Sequence, residues 1–202
     1  MVKQERALLT RDRMVRAAAD AFARQGYTGT SLQDVCRGAG VSMGALTFHF
    51  ARKRDLAAAV TEVGTETTRQ AIDRVLHATD DPLQSVVAVT CELADLLASD
   101  AGVQATRQLA EPAADWDDIW MPTVRLLLFE AEQQQLLDSA VKVETLVRLA
   151  SHLVHGSASS LRGTEQGEHR ATELSRIWAA VIHGITAPTV RAMRRRREPE
   201  RA

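Results

Sequence analysis

Hydrogen-bond donors of three kinds occur close together near the start of the chain: the hydroxyls of Thr30 and Ser42, the imidazole of His49 and the ammonium group of Lys53. Such groups suit phosphate oxygens, which accept hydrogen bonds from the side chains that position a protein on a nucleic-acid backbone. His49 has no acid or nucleophile near it in sequence, so we do not expect it to act as a catalytic base. The chemistry expected of this stretch is therefore the binding of a polyanion.

Two short helices joined by a tight turn would present these donors. Thr30, with Gln33 three residues later, forms the pattern of a capping box, which predicts the start of the first helix. Gln33 is also a candidate DNA contact. Gly40 can adopt a positive φ and would end that helix, and Ser42 is placed to cap the second. The backbone amides at the two helix starts would add further donors. Two helices separated by such a turn form a helix-turn-helix, whose second helix enters the major groove of DNA.

The second helix carries the candidate base contacts. Gly44 permits close approach of the backbone, and Met43 and Thr47 on the exposed side could contact thymine methyl groups. Phe48 is expected at the same DNA-facing surface, whereas Phe50 is expected in the core of this region. The alternative is that Met43 and Thr47 only cover the surface of the helix.

Charge is unevenly distributed along the 202 residues. Residues 1–54 carry a net charge of +6 and residues 191–202 carry +4, so the total of −1 leaves −11 on residues 55–190. Basic ends on an acidic body indicate a polyanion partner at the ends, although such charges also occur on ordinary solvated surfaces. No apolar run approaches the ~20 residues of a membrane span, and the N-terminus lacks the apolar segment of a signal peptide. We therefore expect a cytoplasmic protein without membrane association, in which Cys36 and Cys91 are buried thiols rather than a disulfide.

Apolar residues recur at helical spacing along the whole chain, and no segment shows the alternation of a strand. Besides the two short helices, this periodicity predicts helices over residues 10–25, 51–77, 83–98, 103–110, 122–137, 142–161 and 171–185. Pro122 is expected in the first turn of its helix. The fold class is therefore all-α, with a helix-turn-helix head at residues 1–50, a helical body at residues 51–190 and a basic, flexible tail at residues 191–202.

Residues 14–56, which include AADAFARQGYTGTSLQDVCRGAGVSMGALTFHFARKRDL, resemble the DNA-binding head of TetR-family transcriptional repressors. The segment GALTFHF is similar to the corresponding segment of the γ-butyrolactone receptors and the related pseudo-receptors that control antibiotic production. The matching residues are Phe22, Gly26, Tyr27, Thr30, Val35, Ala39, Gly40, Val41, Ser42, Leu46, Phe48, His49, Phe50, Lys53 and Leu56. The resemblance implies a three-helix head on a ligand-binding and dimerisation bundle, with no enzymatic activity and no cofactor.

Three positions depart from the butyrolactone receptors. Those receptors commonly have Lys and Tyr where this chain has Met43 and Thr47, so direct base readout by this chain is expected to differ from theirs. Some of them carry Gln on the inner face of the fourth helix where this chain has Gly64. Gly64 would leave room for a ligand larger than a butyrolactone, such as an antibiotic or its intermediate. The alternative is a locally loosened helix, since interior Gly costs about 1 kcal/mol relative to Ala.

The resemblance also implies a tryptophan near the start of the seventh helix that covers the ligand. Trp120 is the first candidate because it stands at the start of a helix that carries the apolar Val124 four residues later. Trp116 is the alternative candidate. An ordinary core position is an equally good interpretation of either. The further ligand-binding candidates are Val87, Thr90, Val154 and Ser157.

In the family, the last two helices pair with those of a second copy. This implies a homodimer whose candidate interface residues are Leu153, Leu161, Leu174, Trp178, Val181 and Ile182, although they would also suit an ordinary core. His152 and His155 lie three residues apart, but no third ligand stands at metal-binding spacing, so we expect no metal.

The function that these observations favour is a ligand-responsive repressor of secondary metabolism. It would bind a pseudo-palindromic operator in double-stranded DNA as a dimer, and a small lipophilic molecule would release it. One alternative is a multidrug-sensing repressor of an efflux gene. The alternative from a different class is a helical lipophile-binding protein or enzyme with an incidental basic head.

Overall fold

The computed structural model describes residues 2–109, 115–160 and 167–186, which form nine α-helices. Their bounds are α1 Val2–Gly29, α2 Leu32–Ala39, α3 Met43–His49, α4 Lys53–Leu76, α5 Pro82–Ser99, α6 Ala101–Leu109, α7 Asp117–Gln133, α8 Val143–Ser160 and α9 Gly167–Ile185. The predicted all-α class is confirmed: within the described ranges, extended backbone pairs only at an isolated bridge between Leu137 and Thr186. None of the described helices is both long and apolar enough to cross a membrane.

The chain divides into two compact units. The first comprises Met1–Gln70 and Ser99–Ile119, and the second comprises Ala71–Ala98 and Trp120–Ala202. Most of α4, residues 53–70, and the whole of α6 therefore belong to the same compact unit as the helix-turn-helix. The functional division after residue 50 stays a prediction, and the basic tail predicted at residues 191–202 lies outside the described residues.

The core of the first unit is built by α1, α2, α3, α4 and α6. The prediction that Phe50 packs with its neighbours in the head is confirmed, because it lies in one buried cluster with Phe22, Val35 and Leu46. The same cluster includes Ala105 of α6, which packs against α1. Helix α6 therefore supplies part of the surface that the three head helices bury.

The junction between α1 and α2 corrects the predicted capping. Gly26 has φ 69° and interrupts the regular helix, as the sequence indicated. The Thr30 hydroxyl donates to the Gly26 carbonyl at 2.9 Å and so cannot cap α2. Ser31 is the N-cap instead, and its hydroxyl accepts from the Asp34 amide at 3.1 Å. The capping box thus pairs Ser31 with Asp34, and the pairing of Thr30 with Gln33 was wrong.

The turn between α2 and α3 agrees with its prediction. Gly40 has φ 64°, a left-handed conformation that costs glycine little, and its amide donates to carbonyls in the last turn of α2. The Ser42 hydroxyl accepts from the Ala45 amide at 3.2 Å and caps α3. These two ends hold α2 and α3 in place without a long loop.

The start of α7 differs from its prediction. The helix begins at Asp117, so Pro122 lies in its second turn rather than its first. Asp115 and Asp118 explain the early start, because the Asp115 amide donates to the Asp118 carboxylate at 3.2 Å and the Asp115 carboxylate accepts from the Asp117 amide at 3.4 Å. This reciprocal cap begins the helix before the proline is reached.

The prediction that Gly64 leaves room for a larger ligand was wrong, because the space beside Gly64 is filled. A Cβ atom at this position would lie 2.1 Å from the Thr106 Oγ1 and 2.5 Å from the carbonyl oxygen of Gly102. Both residues belong to α6, so α4 and α6 cross here at a distance that only glycine permits. Gly64 therefore provides close helix packing and leaves no room for a larger ligand.

We expect Gly64→Ala to lower the free energy of unfolding by about 1–3 kcal/mol, because overpacking against the α6 backbone outweighs the ~1 kcal/mol that Ala gains within a helix. Gly156→Ala in α8 is the matched control, since a Cβ there meets no atom within 4 Å. Chemical denaturation at one fixed protein concentration measures both. Equal stabilisation by the two substitutions would contradict the close crossing.

A second prediction concerns the pH dependence of the α2 cap. The Ser31 hydroxyl and the Ser31 amide donate to the Asp34 carboxylate at 2.6 and 3.2 Å, and these bonds, helped by Arg37, hold the pKa of Asp34 below its ordinary value. A lowered pKa means that the ionised carboxylate stabilises the fold at neutral pH, and that this contribution is lost as the pH falls below about 4.

Asp34→Asn should therefore be less stable than the parent protein at pH 7, and the difference should shrink towards pH 3. Thermal unfolding across this pH range measures it. Asp80→Asn, which removes an exposed carboxylate before α5, is the control. A difference between parent and Asp34→Asn that stays constant with pH would argue against the capping box.

Candidate nucleic-acid interface

The exposed face of α3 contains the residues predicted to contact bases. Met43 is 39% exposed and Phe48 is 84% exposed, and Gly44 and Thr47 are exposed as well. A Cβ at Gly44 would meet no atom within 4 Å, so no neighbour among the described residues requires glycine there. The surface of α3 at Gly44 therefore has no side chain, which would let the α3 backbone come close to the bases in a DNA groove.

The hydroxyl and imidazole groups of α3 already have local partners. The Thr47 hydroxyl donates to the Met43 and Gly44 carbonyls at 3.0 and 3.2 Å. The His49 ring packs edge-on against Phe48 with their centroids 5.3 Å apart, and His49 is half-buried. Phe48 thus places a large aromatic ring in solvent at the end of α3, and its position facing DNA stays a prediction.

Of the four predicted phosphate donors, Ser42 is exposed, His49 and Lys53 are half-buried and Thr30 is buried. Ser42 and Gln33 are exposed near the starts of α3 and α2, and His49 is half-buried at the end of α3. Thr30 is only 3% exposed, and its hydroxyl is used by the Gly26 carbonyl. Thr30 is therefore a residue that shapes the α1–α2 junction, and its predicted contact with DNA is not supported by its position.

Lys53 has a second role that the sequence did not reveal. Its ammonium group donates to the carbonyl of Tyr27 and lies 4.4 Å from the centre of the Tyr27 ring. Tyr27 in turn stacks on Phe22, with ring centroids 5.9 Å apart. The first turn of α4 is thus fastened to the C-terminal end of α1, and a cation near the last carbonyls of a helix is favourable.

The predicted ligand-binding residues belong, with one exception, to the second unit. Trp120, Val124, Thr90 and Val154 are fully buried there, whereas Val87 and Ser157 are half-buried. The Thr90 hydroxyl donates to carbonyls of its own helix, at 2.9 Å to both Val86 and Val87.

Trp116 is the exception, because it belongs to the first unit. Its indole N–H donates to the Thr68 hydroxyl at 3.0 Å, and that hydroxyl donates to the Gly64 carbonyl at 2.8 Å. Trp116 is therefore bonded to the crossing of α4 and α6. This contact favours Trp120 over Trp116 as the tryptophan that covers a ligand.

The predicted dimer interface receives one correction. Leu174 and Trp178 are each 1% exposed in the single chain, so they have almost no surface to lose to a partner. Leu153, Val181 and Ile182 are half-buried and stay candidates, and Leu161 lies outside the described residues. Ile177 is 39% exposed on α9.

The remaining predictions concern metals and cysteines. Within the described ranges no group of His, Cys, Asp and Glu side chains could hold a metal ion, and His152 and His155 belong to no such cluster. Both cysteines are free, with Cys36 buried as predicted, whereas Cys91 is only partly buried. The Cys91 thiol lies 3.6 Å from the Ser175 hydroxyl, and burial raises its pKa.

The comparisons with known proteins agree with this geometry. The family pattern described as "Bacterial regulatory proteins, tetR family" matches residues 14–60, which contain the helix-turn-helix. The A-factor receptor protein of Streptomyces griseus is 29% identical over 208 residues, which cover 94% of this chain and 68% of that protein. 

Two solved structures extend the likeness to the body. A gamma-butyrolactone receptor (ArpA-like protein) has a TM-score of 0.75 and 27% identity, over 93% of each chain. Full-length TylP, a TetR regulator from Streptomyces fradiae, is 30% identical with a TM-score of 0.57, over 90% of this chain and 88% of that one. The chain therefore belongs to the TetR family of DNA-binding transcriptional regulators, and over most of its length it is similar to a γ-butyrolactone receptor.

Proposed function

We propose that the protein is a dimeric, cytoplasmic repressor that binds a pseudo-palindromic operator and leaves it when a small lipophilic molecule binds the body. The observation that carries this proposal is the open face of α3, with an exposed aromatic ring and an unobstructed glycine on a helix capped at both ends. Two such heads on a two-fold dimer would require half-sites about one helical turn, or a multiple of it, apart.

The proposed dimer uses α8 and α9. Ile177 joins Leu153, Val181 and Ile182 as the apolar residues that keep exposed surface in the single chain. Leu174 and Trp178 would support this surface from inside the subunit. A two-fold contact of this kind is self-complementary, because the same residues of both copies meet.

The proposed ligand is a γ-butyrolactone-like signal, or an antibiotic or intermediate of similar size, and the regulated genes would belong to secondary metabolism. The similarity to an A-factor receptor and to a γ-butyrolactone receptor supports this class. The close crossing at Gly64 removes the reason to expect an especially large ligand. Trp120 would cover the ligand, with Val124, Val87, Thr90, Val154 and Ser157 as the other candidates.

The proposed coupling runs along α7 and α4. Helix α7 is continuous from Asp117 to Gln133, and Trp116 directly before it is bonded through Thr68 to the Gly64 carbonyl of α4. A ligand that displaces α7 would strain this contact and favour a head arrangement that no longer fits DNA. DNA and ligand affinities would then be reciprocally coupled, as linkage requires.

Binding to a duplex from the gene's own upstream region should fall steeply with salt, because each neutralised phosphate releases counterions and adds about −0.9 to the slope of log K against log salt.

Gly44→Ala should weaken this DNA binding while leaving the free protein as stable or more stable, since its Cβ has open space. Fluorescence anisotropy and thermal unfolding give the two readouts. Undiminished DNA affinity in Gly44→Ala would exclude close approach at this residue.

Trp120→Phe should weaken ligand-induced release of DNA by up to about tenfold, because an aromatic contact contributes ~0.5–1.5 kcal/mol beyond its buried area. Its DNA affinity without ligand should not change. The probe is a panel of synthetic γ-butyrolactones with alkyl side chains, titrated into the preformed protein–DNA complex.

Trp116→Phe is the comparison variant, because it loses the indole donor to Thr68 and is equally buried. It should bind the lactones as the parent protein does but release DNA less completely. If Trp116→Phe loses lactone binding and Trp120→Phe keeps it, the two assignments must be exchanged.

A further inference from the structure

Arg11 lies beside the end of the helix that reads DNA, although nothing in the helix-turn-helix pattern requires it there. Its guanidinium carbon is 5.2 Å from the centre of the Phe50 ring. Phe50 is the C-cap residue of α3, is only 4% exposed, and donates its amide to the Leu46 carbonyl at 2.8 Å. The ring is thus fixed, and the cation over it lies at the C-terminal end of α3.

The guanidinium has no other partner in the part of the chain that the structure describes. The ion pairs found there join Arg37 with Asp34, Arg54 with Asp55, Arg74 with Glu92, and Arg125 with Glu144. Within these residues no hydrogen bond or ion pair involves the side chain of Arg11, which is half-buried. Its five N–H groups are therefore free to bind an acceptor from outside the chain.

A cation–π contact uses no N–H group as a donor to another residue, so the N–H groups of Arg11 stay available while its guanidinium lies over the Phe50 ring. The N–H groups of a guanidinium match two oxygens of one phosphate, which a point charge such as Lys cannot do in the same way. Phe48 and His49, at the same end of α3, are exposed and half-buried, and residues 1–54 carry a net charge of +6. The surroundings of Arg11 thus suit an anion presented along α3.

We propose that Arg11 is a further DNA-binding residue, which holds a backbone phosphate beside the C-terminal end of α3. This inference rests on the proposed DNA-binding function and names a contact from α1. Arg11 lies three residues before the segment 14–60 that matches the family pattern. A phosphate contact positions the head on DNA and carries no sequence information by itself.

Arg13 offers a matched control on the same helix. It follows Arg11 by two residues, which places it about 200° around the helix axis. It is exposed, and its guanidinium lies 3.4 Å from the Thr10 hydroxyl, with no aromatic ring beneath it. Arg11→Gln and Arg13→Gln therefore remove the same charge from opposite sides of α1.

The experiment measures the affinity of the full-length parent and variant proteins for one duplex, selected from a random library by the parent protein, across a range of salt concentrations. A dimer contains two copies of Arg11, so Arg11→Gln should reduce the slope of log K against log salt by about 1.8. Arg13→Gln should leave the slope unchanged. Arg11→Lys should keep the slope but bind more weakly than the parent protein, because it retains the charge and loses the planar fork.

Equal slopes for Arg11→Gln and Arg13→Gln would overturn the inference, whatever their affinities. Thermal unfolding of each variant tests a purely structural role for Arg11. If Arg11→Gln is less stable but its salt slope is unchanged, Arg11 only covers Phe50, and the proposed phosphate contact is overturned. A parent protein whose binding ignores salt would instead contradict the proposed DNA-binding function, which is a distinguishable result.

Discussion

The close crossing of α4 and α6 at Gly64 is the constraint on which the first unit of this protein depends. No side chain fits between Gly64 and the backbone of Gly102, and the Thr106 hydroxyl occupies the remaining space. Because interiors are close-packed, two helices in such contact move together or separate, and they do not deform gradually. The position of α6 therefore determines the position of the part of α4 that leads out of the helix-turn-helix.

Other contacts carry this constraint from α6 to the DNA-binding helices. The Gln108 side chain of α6 donates to the Ala23 carbonyl of α1 at 2.7 Å, and Ala105 lies in the same buried cluster as Phe22 and Leu46. Lys53 fastens the start of α4 to the end of α1. Helix α3, which we propose to contact bases, is therefore held by a unit of five helices, and packed side chains connect it to α6.

The sequence was sufficient for the elements whose signals are local. The all-α class, the Gly40 turn and the Ser42 cap follow from helical periodicity and from the properties of single residues. The choice between Thr30 and Ser31 as the N-cap was not local, since both Thr30 with Gln33 and Ser31 with Asp34 have the required spacing. The conformation of Gly26 decided it, because it brings the Thr30 hydroxyl to a carbonyl of α1.

The contacts between distant parts of the chain could not be read from the sequence. Gly64 suggested empty space because a missing side chain looks the same whether a ligand or another helix fills it. The partners that fill it, Gly102 and Thr106, are about forty residues away and carry no recognisable pattern. The bond from Trp116 to Thr68 likewise joins residues 48 positions apart, so periodicity alone left the two tryptophans equivalent.

Native-state hydrogen exchange of the parent protein tests most directly whether α6 and the head form one cooperative unit. If they do, the buried amides of Phe22 in α1, Val60 in α4 and Ala105 in α6 should open with the same free energy and the same dependence on denaturant. If Ala105 instead opens at a clearly lower free energy than Phe22 and Val60, then α6 is not part of the head's core, and the coupling through Gly64 is contradicted.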